Sequence, residues 1–187
     1  MPKVASPEQL FVHELKDMYY AEKALTKVLP KLASEATDRE LSKAFTHHLG
    51  ETRDQVVNLE KVFKSIGKRA EAQPCPGIEG IKEEHDSFVK ENEPSDKMLD
   101  VFLTGAAARA EHYEIAAYTG LITLARALGE RDSVELLEEN LRQEKEALKT
   151  VEAISKRILK ATGNGSSRKA SSATKRSSAT KKRVAAR

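Results

Sequence analysis

Apolar residues recur along this chain three, four and seven positions apart, the spacing that gathers side chains on one face of an α-helix. Leu15, Met18, Leu25 and Leu29 form one stripe, and Leu41, Phe45, Leu59, Val62 and Ile66 a second. Gly105, Ala108, Ile115, Tyr118 and Ile122 line up as a third, and Leu137, Leu141, Leu148 and Val151 as a fourth. β-branched runs are few and no segment alternates apolar with polar, so the pattern predicts an all-α chain.

Local signals set the expected ends of these helices. Ser6, Pro7 and Gln9 read as a capping box with Pro at the first helical position, opening a helix to about residue 36 with a kink at Pro30. Thr37 and Glu40 read as the next box, and the second helix runs to Ile66 before Gly67 stops it. The link between them is tight, so the two are antiparallel neighbours. Residues 68–95 hold Pro74, Pro76, Gly77 and Gly80 and a short helical pattern (Ile78, Ile81, His85, Phe88, Val89) that ends near Pro94. Ser95 or Asp96 caps the third main helix, which ends at Leu128 and Gly129. A short turn leads to the fourth, which ends before Gly163. Each main helix has roughly 28–34 residues, or about 40–50 Å. Hairpin, long crossover, hairpin is the ferritin-like order of an antiparallel four-helix bundle. The expected organisation is a bundle over 1–162, whose crossover carries a short helix, and a disordered basic tail over 163–187.

Acids interrupt the stripes. Glu22 sits in the middle of the first, and Glu144 has the same place in the fourth, between Leu141 and Leu148. His48 lies on the second stripe with Glu51 one turn on, and Glu111 lies on the third with Glu114 one turn on. A carboxylate buried without compensation costs several kcal/mol or more, on the order of a domain's whole stability. Crowded carboxylates also raise one another's pKa. Two divalent cations would nearly balance these five glutamates, whereas one would leave the set strongly acidic. Oxygen donors with a single imidazole suit iron(II) or manganese(II), leave zinc open, and argue against a thiolate-rich site.

The stretches Glu14 to Leu25 (ELKDMYYAEKAL), His48 to Leu59 (HLGETRDQVVNL) and Glu111 to Tyr118 (EHYEIAAY), with the leucine-rich helix around Glu144 and the Pro74-Cys75-Pro76-Gly77 turn, resemble the YciE/YciF ferritin-like family over residues 6–160. The resemblance implies a bundle with a dinuclear metal centre, discussed as a ferroxidase, in a stress-related bacterial protein that pairs as a homodimer. It makes Glu22, Glu111, Glu114 and Glu144 the carboxylate ligands. Better-known di-iron bundles use Glu-x-x-His on two helices. Here the second helix reads His48-x-x-Glu51, reversed, and Ala147 stands where the fourth helix would place a histidine.

Other reactive residues read as structural. His47 and His112 point about 100° away from their ligand neighbours, at 3.6 residues per turn. His13 and His85 carry no signal. Tyr118 reads as a packed aromatic with a hydrogen-bonded hydroxyl, as do Tyr19, Tyr20 and Tyr113, and Cys75 as a buried thiol.

Composition narrows the picture. At 187 residues, 39% hydrophobic and 33% charged, the chain can build one sizeable core. No apolar run of about 18 residues exists to span a bilayer, and residues 1–8 lack the layout of a secretory signal. With one cysteine, no internal disulfide forms, and the cytoplasm is the default expectation. The overall charge of +3 hides an asymmetry. Arg168, Lys169, Lys175, Arg176, Lys181, Lys182, Arg183 and Arg187 fall in an acid-free stretch from Gly163. Removing those eight from 32 basic residues leaves 24 against 29 acidic ones, so the body is acidic and the tail strongly basic. Such a tail resembles those of histone-like proteins and suits non-specific contact with nucleic-acid phosphates.

Three functions follow as expectations. The first is oxidation of iron(II) by oxygen or peroxide, close to DNA. The second is manganese-dependent disproportionation of peroxide. The third is a non-enzymatic DNA-associated stress protein that uses its helices as a dimer scaffold.

Overall fold

The computed structural model describes residues 4–184, with side chains described as far as residue 161. The described residues form α1 (Pro7–Glu35), α2 (Arg39–Ser65), α3 (Pro76–Asn92), α4 (Asp96–Leu128) and α5 (Arg131–Val184), with no strand among them. No helix there is long and apolar enough to cross a membrane. The fourth helix does not end before Gly163 as expected: the backbone of α5 continues through the segment read above as a disordered tail, to Val184, while its eight basic residues lie outside the described side chains.

Most helix ends fall where the sequence places them. Ser6 accepts a bond from the Gln9 amide at the start of α1, and Pro30 lies inside that helix. Gly67 (φ +68°) and Gly129 (φ +77°) adopt the left-handed conformation that ends α2 and α4. One cap differs. Asp38, not Thr37, caps α2, accepting from the amides of Glu40 at 3.0 Å and Leu41 at 3.1 Å. Thr37 instead donates its amide and hydroxyl to buried Asp100 of α4, at 2.8 and 2.6 Å, and the Asp38 amide joins them at 3.1 Å. A long-range carboxylate has replaced the local box.

Packing follows the stripes. α1 contacts α2 and α4, and α5 contacts α4 and α2, around a core that includes Phe11, Leu15, Leu41, Leu59, Leu121 and Leu137. The buried face of α4 is turned slightly from the expected one. Gly105, Ala108 and Ile115 are only half-buried, while Ala106, Ala107 and Ala110 are buried. α3 packs on α4, with Phe88 stacked on Phe102. Its start comes so close that a Cβ on Gly77 would meet the Tyr113 ring at 2.5 Å. Tyr113 donates to Asp17 at 2.9 Å, and Cys75, buried as expected, has its sulfur 2.9 Å from the same hydroxyl.

Candidate metal centre

Helical phase delivers the acids to one place. Glu22, His48, Glu111, Glu114 and Glu144 are all buried, coming from α1, α2, α4 and α5. His48, Glu111, Glu114 and Glu144 each offer a ligand atom within 4.8 Å of the others. The His48 Nε2 atom stands 3.5 Å from both Glu111 Oε1 and Glu144 Oε2. Glu22 lies beside this group, and its charge acts on Glu111 and Glu114. Glu51 is placed differently. It is half-buried and meets His48 Nδ1 at 3.1 Å, on the ring's other nitrogen. As expected, His47 and His112 are exposed.

The carboxyl oxygens are poorly satisfied. Glu22 Oε2, Glu111 Oε2, both oxygens of Glu114, and Glu144 Oε2 are buried with no hydrogen-bond partner among the described residues. Orphaned buried acceptors are rare because each one costs the desolvation it suffers. Burial pushes the Glu22, Glu111 and Glu114 carboxyls well above the usual carboxylate range, and the neighbouring Glu144 raises each further. Without a cation, burial therefore favours the protonated form of each. A divalent ion would replace the protons, occupy the orphaned oxygens, and find hard donors with one nitrogen. The residues present fit a metal ion.

Polar neighbours fix the geometry of the site. Gln55 donates to Glu144 Oε1. Tyr118 donates to Glu22 Oε1 at 2.5 Å and accepts from Asn140 at 2.9 Å. Burial and the Glu22 charge push the Tyr118 phenol far above its ordinary value. The sequence alone singled out neither Gln55 nor Asn140. Both carried a signal, because Gln55 lies seven residues from His48 and Asn140 four from Glu144, on the same faces. Beside Ala147, a gap of about 80 Å³ is lined by His48, Glu51 and Glu111.

Residues 6–163 match a family described as a domain of unknown function, DUF892. The chain belongs to that family. Protein YciF of Escherichia coli (strain K12) is 40% identical over 139 residues, covering 74% of this chain and 83% of that protein. The crystal structure of the E. coli stress protein YciF superposes with a TM-score of 0.80 at 35% identity, covering 84% of this chain and 99% of that one. YcfI of Rhodopseudomonas palustris gives a TM-score of 0.78 at 40% identity, covering 80% of this chain and 95% of that one. The relationship to YciF inferred from short motifs thus holds over most of the chain.

Proposed function

We propose that this DUF892 protein binds two divalent cations among its buried carboxylates and oxidises iron(II) with oxygen or peroxide, limiting oxidative damage. The observation that carries this reading is the set of orphaned oxygens on Glu22, Glu111, Glu114 and Glu144. The helix contacts support a ferritin-like antiparallel four-helix bundle of α1, α2, α4 and α5, with the connection between α2 and α4 as a crossover that carries α3. The stress-related role is taken over from the description of the E. coli relative.

Ferrous iron is the substrate. Two ferrous ions give one electron each to peroxide, which takes up two protons and leaves as two waters; dioxygen takes four electrons and four protons. Glu111, Glu114, Glu144 and His48 hold the iron, and Glu22 completes the charge needed for a second ion. Glu51 accepts the Nδ1 proton of His48 and so leaves Nε2 with a free lone pair facing Glu111 and Glu144. Gln55 and Tyr118 keep Glu144 and Glu22 in place. Protons held by the raised carboxyls are released as cations enter. Burial of these side chains strengthens each charge interaction.

Anaerobic loading with iron(II), followed by oxidant, should produce ferric absorbance faster than protein-free solution does. Glu22→Ala and Glu144→Ala should remove that advantage; an unchanged rate in both overturns the reading. Oxygen evolution from peroxide in manganese-loaded protein, without net iron consumption, assigns the centre to peroxide disproportionation instead.

The protein is proposed to act as a cytoplasmic homodimer, with the basic residues from Arg168 to Arg187 holding it near DNA through phosphate contacts. With eight positive charges, the slope of log affinity against log salt is bounded at about −7. Deleting 163–187 should abolish salt-sensitive DNA retention and leave metal uptake intact. Retention unchanged by the deletion removes the DNA contact from the proposal.

A further inference from the structure

A second feature of the molecule goes beyond the metal reading. α1, α3 and α4 line a cavity of about 400 Å³ that is partly open to solvent, within the roughly 300–1,000 Å³ range of organic-ligand pockets. We propose that this cavity binds a single-chain amphipathic carboxylate, its anionic end at Lys23 and Lys27 and its apolar chain running inward toward Glu114.

The cavity exists because of two local choices. α4 faces it with Ala106, Ala107 and Ala110, where larger side chains would have filled the space. α3 is tied to α1 by polar bonds rather than by interlocking apolar side chains. Tyr20 donates to Glu79 at 2.9 Å, Lys31 to Asp86 at 2.7 Å, and His85 meets Glu35 at 2.9 Å. These links hold α3 beside α1 and leave an apolar interior between Leu25, Leu29 and Ile78. The cavity is partly open, so solvent reaches its apolar walls, and an apolar chain laid against them removes that area from water.

Charge chooses the ligand. The rim acids are already matched, Glu79 by Lys82 at 2.8 Å and Asp86 by Lys31. Lys23 and Lys27, both exposed on the lining, have no carboxylate partner among the described residues, although the Lys23 ammonium lies 4.9 Å from the Tyr19 ring centre. The mouth therefore carries uncompensated positive charge. At the opposite end, Glu111 and Glu114 line the cavity, and Glu114 is 1% exposed with neither oxygen partnered. An anionic head pointing inward would meet those acids, while one at the mouth meets the lysines.

Calorimetric titration of the chelator-treated, full-length protein with dodecanoate tests binding apart from the metal. One saturable equivalent is expected, with dodecyltrimethylammonium failing to bind. Ala107→Leu, which fills the cavity, and Lys23→Glu with Lys27→Glu, which reverses the mouth, should each weaken binding at least tenfold. Circular dichroism and melting confirm that both variants are folded. Absent binding, or equal binding by all three proteins, overturns the proposal. Binding that needs iron(II) and ignores the lysine reversal overturns it by placing the head inward. A dimer broken by Ala107→Leu, without dodecanoate binding, gives the cavity to a second copy and overturns it too. Because metal binding is read without carboxylate, and dodecanoate binding is read on chelator-treated protein before iron(II) is added back, failure of either reading is seen separately.

Discussion

Replacing Glu114 with leucine should make the metal-free protein more stable and the metal-loaded protein less so. Glu114 is 1% exposed, and neither of its oxygens has a partner. A buried polar group without a hydrogen bond costs about 1–3 kcal/mol by mutational comparison. Leucine has similar bulk, removes both orphans, and opens no cavity. For a chain of this length 1 kcal/mol moves the Tm by about 2–4 °C, so chelated Glu114→Leu should melt about 2–12 °C above the chelated parent. Glu114→Gln keeps two unsatisfied polar atoms and should gain little. Metal reverses the order. At one hundred times its Kd, a ligand specific to the folded state adds about 2.7 kcal/mol, or about 5–11 °C at that same conversion. The parent should show this rise with manganese(II), and Glu114→Leu should show almost none. Melting followed by circular dichroism, with chelator and with manganese(II), reads all four values. A chelated Glu114→Leu less stable than the parent, or an equal metal-induced rise in both, would refute the reasoning.

Three further outcomes follow from the site. Glu22, Glu111 and Glu114 have carboxyls raised above 4.5 by burial, so the folded state binds protons more tightly than the unfolded one; this stabilisation is complete below about pH 4.5 and is lost as pH rises toward neutral. Chelated protein should therefore melt lower at pH 7.5 than at pH 5.5, and manganese(II) should shrink or reverse that difference; a chelated Tm that climbs steadily across this window contradicts it. Tyr118→Phe removes a hydroxyl that donates to Glu22 and accepts from Asn140; the groups left unpaired should cost about 1–3 kcal/mol in denaturant unfolding, and an unchanged midpoint would show that the pair is not formed. Ala147→His places an imidazole one turn from Glu144, beside the gap of about 80 Å³. It should tighten manganese(II) binding about tenfold, or 1.4 kcal/mol, by equilibrium dialysis, and a weaker site in the variant would mean that side is not open to a ligand.

The helical period made much of this site legible. Glu22 lies between Met18 and Leu25, and Glu144 between Leu141 and Leu148, so burying the stripe buries the acid. Gly67 and Gly129 marked helix ends because their left-handed backbone favours glycine. What escaped depended on distant partners. Thr37 was expected to cap its own helix, but Asp100, more than sixty residues on, competes for its donors. α4 is so rich in alanine that no sharp stripe stands out, and its buried face was misjudged at Gly105, Ala108 and Ile115. Spacing put Glu51 near His48 without showing which ring nitrogen it meets. His85 lies on the apolar pattern of α3, but nothing local showed that it bonds Glu35 on another helix. The cavity under α3 had no local signature either, since it arises from alanines on one helix and polar ties between two others.

The central claim is that buried acids from four separate helices close on metal ions. Crystals grown anaerobically with iron(II), measured at the iron absorption edge, test it directly. The account predicts anomalous peaks within bonding distance of Glu111, Glu114, Glu144 and His48, with a second position reached by Glu22. A map with no peak there, and carboxyls bonded to one another or to water instead, would contradict it.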